Sequence, residues 1–339
     1  MPALAVADRL RAAGADVVFV GGERAEAQLV PAAGYELRTI RVEGLSRTNP
    51  LRAARALLRA GGAVAAAHRI LGELRPSAVL GGGGYVAGPV GLAALGRRIP
   101  LVLTEADSHL GITNRLLAAG ARRVCLAFAI EGRDGKRYRV TGRPVPPPAR
   151  DTGAARARFG LSPRELCVLV FGGSLGSRTI NEAAVEAFRA APFRVLHAAG
   201  ERDHAALASR VAGLPHYDLR PYIADFGDAL AVCDLCVARA GGSIFEIAAA
   251  GKPAILVPYP HASADHQTAN ARWMADAGAA VVVPDDELTA ARLGQEVGTL
   301  LGDPSRLAAM AAASAALARP QAAQDVADEV LAAAMARGS

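Results

Sequence analysis

The sequence predicts an α/β protein with two doubly wound parallel-sheet domains facing a cleft. Three observations predict it. Short apolar runs alternate with helical stretches almost throughout the chain, which is the pattern of strand–helix–strand crossovers in a parallel sheet. A proline cluster, Gly-Arg-Pro-Val-Pro-Pro-Pro at 142–148, breaks that alternation once, because it can continue neither a helix nor an inner strand. The length of 339 residues exceeds what one core usually organises and suits two domains.

Taken in order, residues 16–20, 77–80, 101–104 and 123–126 read as buried strands, with helices at 50–74 and 86–95. Beyond the proline linker, strands are expected at 166–171, 194–197, 235–238, 254–257 and 280–283, again with helices between. The Ala-rich stretch 320–337 reads as a last helix. The expected division is therefore 1–145, 150–318 and a terminal segment 320–339. The opening is unusual for this architecture. A helix over 3–13 comes first, whereas a doubly wound domain normally begins with its central strand and a ligand-facing loop. Pro2 suits a first helical turn, so the chain is expected to start late relative to a complete domain.

Hydrophobic residues make up 52% and charged residues 21%, which excludes a disordered chain. No apolar run reaches the roughly 18 residues a spanning helix needs; the longest, 86–96, contains Pro89. No secretory signal opens the chain, and the expected compartment is the cytoplasm. Residues 1–150 carry 22 basic and 11 acidic residues, net +11, whereas 151–339 carry 16 and 21, net −5. A basic first half suits an anionic leaflet or a polyanionic substrate as well as plain solvated arginines. Nothing resembles a nucleic-acid-binding module. Cys125, Cys167, Cys233 and Cys236 sit in apolar stretches and read as buried, reduced thiols; one C-x-x-C pair without a second makes no zinc site.

Five strand ends carry polar or glycine-rich motifs. Gly172-Gly-Ser-Leu-Gly-Ser177 follows a strand and opens a helix. Backbone amides and a helix N-terminus there suit a phosphate, with Ser174 adding a hydroxyl; a plain tight turn is the alternative. Gly81-Gly-Gly-Gly-Tyr85 holds the same kind of position in the first half; Tyr85 there either meets a sugar or phosphate or turns into the core. Arg239-Ala-Gly-Gly-Ser-Ile-Phe-Glu246 follows another strand. Glu246 there either takes both hydroxyls of a ribose or caps the helix. His261-Ala-Ser-Ala-Asp-His-Gln267, with Asn270 beyond it, groups polar residues fit to read sugar hydroxyls and lacks the spacing of a metal set. Glu105, Asp107 and His109 at the end of the strand 101–104 are candidates for proton transfer or for loop capping.

These motifs, with Pro2-Ala-Leu-Ala-Val-Ala7, Val86-Ala-Gly-Pro89, Gly111-Ile-Thr-Asn114 and Glu246-Ile-Ala-Ala-Ala-Gly251, resemble the MurG family in order and spacing along essentially the whole chain. That family transfers N-acetylglucosamine from its UDP derivative to undecaprenyl-pyrophosphoryl-N-acetylmuramoyl-pentapeptide. The resemblance implies a GT-B fold of two Rossmann-like domains, the second binding donor and the first acceptor, with the final helix returning to the first. It implies donor contacts at Gly173, Ser174, Ile223, Arg239, Gly241, Ser243, Glu246, His266 and Gln267. Acceptor contacts fall at Gly82, Gly83, Gly84, Tyr85 and Asn114. The family's opening strand and Gly-Gly-Thr-Gly-Gly-His loop would lie before Pro2, so its histidine is absent from this chain. Its His-Glu-Gln-Asn segment is here Thr104-Glu-Ala-Asp107, and its arginine after Gly-Asn-Pro-Val is here Pro146.

The implied reaction is inverting displacement at the anomeric carbon by the 4-hydroxyl of N-acetylmuramic acid. UDP leaves beside helix N-termini, and Asp107 or Glu105 stands as proton acceptor. No metal is required by this logic, since the protein supplies the positive potential beside the diphosphate, and no other cofactor is obligatory; UDP-N-acetylglucosamine is the donor substrate. The expected partners are that UDP-sugar, a polyprenyl-pyrophosphate-linked acceptor and an anionic inner membrane surface, bound peripherally on its cytoplasmic face. Competing readings are a GT-B transferase with another lipid acceptor, a UDP-sugar epimerase, and a non-catalytic UDP-sugar-binding paralogue.

Overall fold

The computed structural model describes residues 2–23, 26–41, 50–173, 175–262 and 265–338. The chain divides into two compact units, Met1–Val145 with Gln321–Ser339, and Pro146–Pro320.

The first unit runs α1 (Pro2–Ala12), β1 (Val18–Gly21), α2 (Glu26–Ala32), β2 (Glu36–Thr39), α3 (Pro50–Leu74), β3 (Val79–Gly81), α4 (Gly84–Gly96), β4 (Leu101–Glu105), α5 (Ile112–Leu117), β5 (Arg123–Leu126) and β6 (Tyr138–Val140). All pairings are parallel. Among the described residues β1 pairs only with β2, and β3, β4, β5 and β6 form a second sheet in that order. The two pieces share layers. Val20 of β1, Val79 of β3 and Leu101 and Leu103 of β4 pack into one cluster with α3 and α4. On the other face Val102 and Cys125 meet Val6 and Leu10 of α1. α14 (Ala322–Gly338) belongs to this unit: Val326, Ala327, Val330 and Ala333 fill that same cluster. Its buried Glu329 accepts from Arg123 of β5 at 2.5 Å and from Arg139 of β6 at 2.8 Å.

The second unit runs α6 (Thr152–Arg158), β7 (Cys167–Phe171), α7 (Arg178–Ala187), β8 (Arg194–Ala198), α8 (Glu201–Val211), β9 (Tyr217–Arg220), α9 (Phe226–Val232), β10 (Leu235–Ala238), α10 (Ile244–Ala249), β11 (Ala254–Leu256), α11 (His266–Asp276), β12 (Ala280–Val282), α12 (Ala290–Leu301) and α13 (Pro304–Leu317). Its six strands are parallel in the order β12-β11-β10-β7-β8-β9. β7, β10 and β11 are buried at every position, as expected for strands covered on both faces. β7 is the first strand and lies inside the sheet. The chain turns one way through β8 and β9 and the other through β10, β11 and β12, so a topological switch point lies between β7 and β10.

The observed boundaries shift from the expected ones. The strand expected at 16–20 begins at Val18, and the helix expected at 86–95 begins at Gly84, straight from the glycine turn. Gly83 caps it with φ 79°, a left-handed backbone that a side chain disfavours. All four cysteines are buried and free; Cys233 and Cys236 lie with their sulfurs 3.5 Å apart as thiols.

Candidate functional site

In the second unit the motifs expected to bind the donor gather at the carboxyl edge of the six-stranded sheet, around the switch point. The turn 172–177 links β7 to α7, and Ser177 caps α7 by accepting from the amide of Ile180. Ser174 itself lies outside the described residues. The turn is locked to its neighbour after β8. A Cβ on Gly176 would fall 2.0 Å from the carbonyl oxygen of Ala199, and one on Gly200 2.7 Å from that of Leu175. Gly200 in turn donates to the carbonyl of Pro221 at 3.0 Å, which fixes the turn after β9 that carries the buried Ile223. Three successive strand ends are thereby joined through backbone.

On the other side of the switch point, Asn270 of α11 donates to the carbonyl of Ala240 at 2.9 Å, and Gln267 accepts from the amide of Tyr259 at 2.9 Å. The Gln267 amide nitrogen lies 4.0 Å from where Gly241 would carry a Cβ. Gly241, Ser243, Glu246, His266 and Gln267 are thus brought to neighbouring turns after β10 and β11. Glu246 stands half-buried in the first turn of α10, and Ser243 is its N-cap residue. His266 opens α11 behind Asp265, whose φ is 52°. Arg239 is engaged inside the protein. It donates to the carbonyls of Val257 and Pro258, both at 3.1 Å, and pairs with Asp285 at 2.5 Å. Its guanidinium ties the start of the 239–246 turn to the end of β11 and to the 3-10 turn Asp285–Glu287. Asp285 was not foreseen as its partner; an acidic run after an edge strand gives no sign of which carboxylate turns inward.

A second unforeseen group lies behind the 172–177 turn. His197 of β8 is fully buried between Asn181 of α7 and Tyr217 of β9. Burial pushes its pKa down to about 3, so the ring is neutral. The signal was present in the sequence as a lone imidazole in an apolar strand.

In the first unit, Gly82, Gly83 and Gly84 form the turn from β3 into α4, and Tyr85 on that helix is 63% exposed. The core-facing alternative for Tyr85 is thereby removed. Asn114 of α5 is buried beside this turn, its amide nitrogen 3.8 Å from a Cβ position on Gly83. It donates to the carbonyl of Thr104 and to Glu105, both at 2.9 Å. The Glu105 carboxylate is buried and takes four donors: the amides of Ala106 at 3.0 Å, Asp107 at 3.3 Å and Gly111 at 2.8 Å, and the Asn114 side chain. It folds the loop 105–111 around itself. Asp107 is half-buried on that loop. Among the described residues no set of three or more His, Cys, Asp or Glu is arranged to hold a metal ion.

Comparison with known proteins places this geometry in context. Residues 1–126 match the glycosyltransferase family 28 N-terminal domain, and residues 167–326 match the family 28 C-terminal domain. The chain is 41% identical to a UDP-N-acetylglucosamine–N-acetylmuramyl-(pentapeptide) pyrophosphoryl-undecaprenol N-acetylglucosamine transferase of Moorella thermoacetica, over 97% of this chain and 94% of the relative. It is 44% identical to the transferase of that name from Alkalilimnicola ehrlichii, over 96% and 93%. Among solved structures, Acinetobacter baumannii MurG aligns with TM-score 0.76 and 31% identity, covering 98% of this chain and 95% of that one. The calicheamicin glycosyltransferase CalG4 shares the fold at TM-score 0.70 and 20% identity, covering 100% and 95%.

Proposed function

The chain belongs to the MurG family within glycosyltransferase family 28 and has its GT-B fold; on that premise we propose how its residues carry out the transfer. The activity is that of its relatives: N-acetylglucosamine passes from UDP to N-acetylmuramyl-(pentapeptide) pyrophosphoryl-undecaprenol. The observation that carries the residue assignment is the gathering of the turns after β7, β8, β9, β10 and β11 at one sheet edge, around the switch point. Such an edge is where α/β sheets take nucleotides.

The pyrophosphate of the donor lies against Gly173, Ser174 and the amides opening α7, where unpaired N–H groups meet an anion. Glu246 accepts from the ribose hydroxyls. The backbone at Ile223 reads the uracil, and His266 and Gln267 read the sugar. Ser243 and Gly241 shape the turn between them. Arg239 acts by holding that turn to β11, because its cation is already committed to two carbonyls and a carboxylate.

In the reaction the acceptor hydroxyl oxygen bonds to the anomeric carbon while the carbon–oxygen bond to UDP breaks, with inversion. The leaving diphosphate gains charge beside fixed amides, which lowers the barrier. The proton of the hydroxyl passes to a base. Of the two carboxylates expected for this, Asp107 suits the role better, because both oxygens of Glu105 are already engaged by the four donors that brace its loop. Gly82, Gly83, Gly84, Tyr85 and Asn114 line the acceptor side.

The acceptor is lipid-linked, and the first unit has a surface suited to a peripheral contact with an anionic membrane. Tyr85 and Leu92 of α4 and Ile112 and Leu116 of α5 are 53–73% exposed on two helices that pack together, within the half of the chain carrying net +11. Exposed apolar side chains in a basic setting suit such a leaflet. No helix among the described residues is long and apolar enough to cross a membrane.

The test is titration with UDP. Glu246→Ala is expected to weaken binding by about 1–3 kcal/mol, the cost of a lost charged hydrogen bond. Unchanged affinity defeats the ribose assignment. Labelled UDP-N-acetylglucosamine with a short-chain acceptor analogue reads the transfer; UDP binding without transfer defeats the acceptor assignment.

A further inference from the structure

Polar residues fully buried in a parallel sheet need a reason, since each must find a partner or cost stability. Behind the 172–177 turn, four buried polar residues from two strands and the helices packed on them form one chain: Tyr217, His197, Asn181 and Asp203, of which His197 and Asn181 are fully buried. Its direction follows from its ends. The amide nitrogen of Asn181 faces two acceptors, the carbonyl of Ala199 at 2.9 Å and the Asp203 carboxylate at 3.1 Å. The Asn181 oxygen therefore faces Nε2 of His197, at 3.0 Å, and Nε2 must carry the proton. A neutral ring then leaves Nδ1 as an acceptor, and the Tyr217 hydroxyl 2.8 Å away must donate to it. The direction is fixed throughout: Tyr217 donates to His197, His197 to Asn181, and Asn181 to both Ala199 and Asp203. Asp203 is held at the end of the chain by two contacts of 2.8 Å from Arg202.

The carbonyl at the end of that chain is the one Gly176 abuts. Any rotation of the Ala199 peptide would drive its oxygen into the glycine turn or away from it. Asn181 sits on α7, the helix whose amino end the turn opens, so a single side chain ties that helix to the neighbouring strand end. We propose that Asn181, His197 and Tyr217 are positioning residues that set the placement of residues 172–173 and 175–177 of this turn against the donor pyrophosphate. They touch no substrate and act through the Ala199 carbonyl. This rests on the donor site described above and adds to it the residues that aim its phosphate-binding turn.

The prediction concerns phosphate and spares the nucleoside. Full-length Asn181→Ala and Tyr217→Phe proteins are titrated with UDP and with uridine, and melted in parallel. Loss of one hydrogen bond at a pinned carbonyl is expected to lower UDP affinity about 3- to 10-fold, with uridine affinity unchanged within about twofold. If Asn181→Ala does not accumulate folded, Tyr217→Phe, which deletes only a hydroxyl, decides. An unchanged ratio of UDP to uridine affinity in a cooperatively melting Tyr217→Phe protein overturns the proposal. So does a parallel loss of both ligands, which is the mark of general loosening. A wild-type protein that does not prefer UDP over uridine instead overturns the donor-site reading on which the proposal rests.

Discussion

Replacing Glu105 with glutamine separates two roles that one carboxylate cannot fill together. As a loop brace, Glu105 offers both oxygens to donors: Oε1 to the amides of Ala106 and Asp107, Oε2 to the amide of Gly111 and the side chain of Asn114. In glutamine one oxygen becomes an NH2 group, and whichever way the amide turns, two donors then face a donor. The cheaper choice gives up the longer pair at 3.0 and 3.3 Å. Two hydrogen bonds to a charged acceptor, at about 1.5 kcal/mol each, give a loss of about 3 kcal/mol. That corresponds to an opening roughly 100-fold more frequent. Hydrogen exchange across 105–117 measures it directly: the Ala106, Asp107 and Gly111 amides should exchange about two orders of magnitude faster. Strands of the second unit should keep their protection. Turnover should fall moderately, because the loop that carries Asp107 and braces Asn114 is loosened while Asp107, the proposed proton acceptor, remains. Unchanged protection in 105–117, with turnover reduced by three orders of magnitude or more, would refute the reasoning and make Glu105 the base.

Two further predictions come from the first unit. Leu116→Glu places a charge on the most exposed apolar side chain of α5; binding to vesicles containing anionic lipid should weaken several-fold while UDP affinity is unchanged, as flotation and titration would report. Glu329 gives a pH dependence. Burial alone would raise its pKa, but hydrogen bonds from Arg139 and Arg123 outweigh burial and hold it below the usual carboxylate range. With the folded value below the unfolded one of about 4.3, its stabilisation is complete above that pH and fades as pH falls through the folded value. Protection of α14 against exchange should therefore decline in acid, and Glu329→Gln should remove that dependence at a cost of about 1–2 kcal/mol at neutral pH, discounted for the half-exposed Arg139.

The strands legible in the sequence are the continuous apolar runs, whether buried on both faces, as in Cys167–Phe171 and Leu235–Ala238, or half-buried, as in Val18–Gly21 and Ala280–Val282. Glu36–Thr39, Tyr138–Val140 and Tyr217–Arg220 went unread. Each is a sheet edge, in which Arg38, Arg139 and Asp218 interrupt the apolar signal. The motifs proposed to bind the donor were legible because glycine and a polar residue after an apolar run mark a strand's carboxyl end. Their internal wiring was not. Nothing local to Arg239 points to Asp285, 46 positions away in the chain, and nothing local to Asn181 points to His197.

The glycines of the 172–177 turn show how far a motif can be read. As letters they are equivalent; in space they do different work. Gly176 has φ 72° and would set a Cβ 2.0 Å from the Ala199 oxygen, a backbone atom that cannot move aside without pulling β8 with it. Gly173 has φ 87°, yet nothing described lies within 4 Å of a Cβ there. Gly173→Ala should therefore cost only the left-handed backbone, about 1–2 kcal/mol. It should leave the protein folded and introduce a methyl group into the space assigned to the pyrophosphate. Gly176→Ala should force two turns apart and lower the melting temperature far more, as overpacking against backbone does. Thermal melts beside UDP titrations separate the two. A Gly173→Ala protein that binds UDP as tightly as wild type would mean that the open side of the turn faces solvent, and the phosphate would have to be sought elsewhere along the sheet edge.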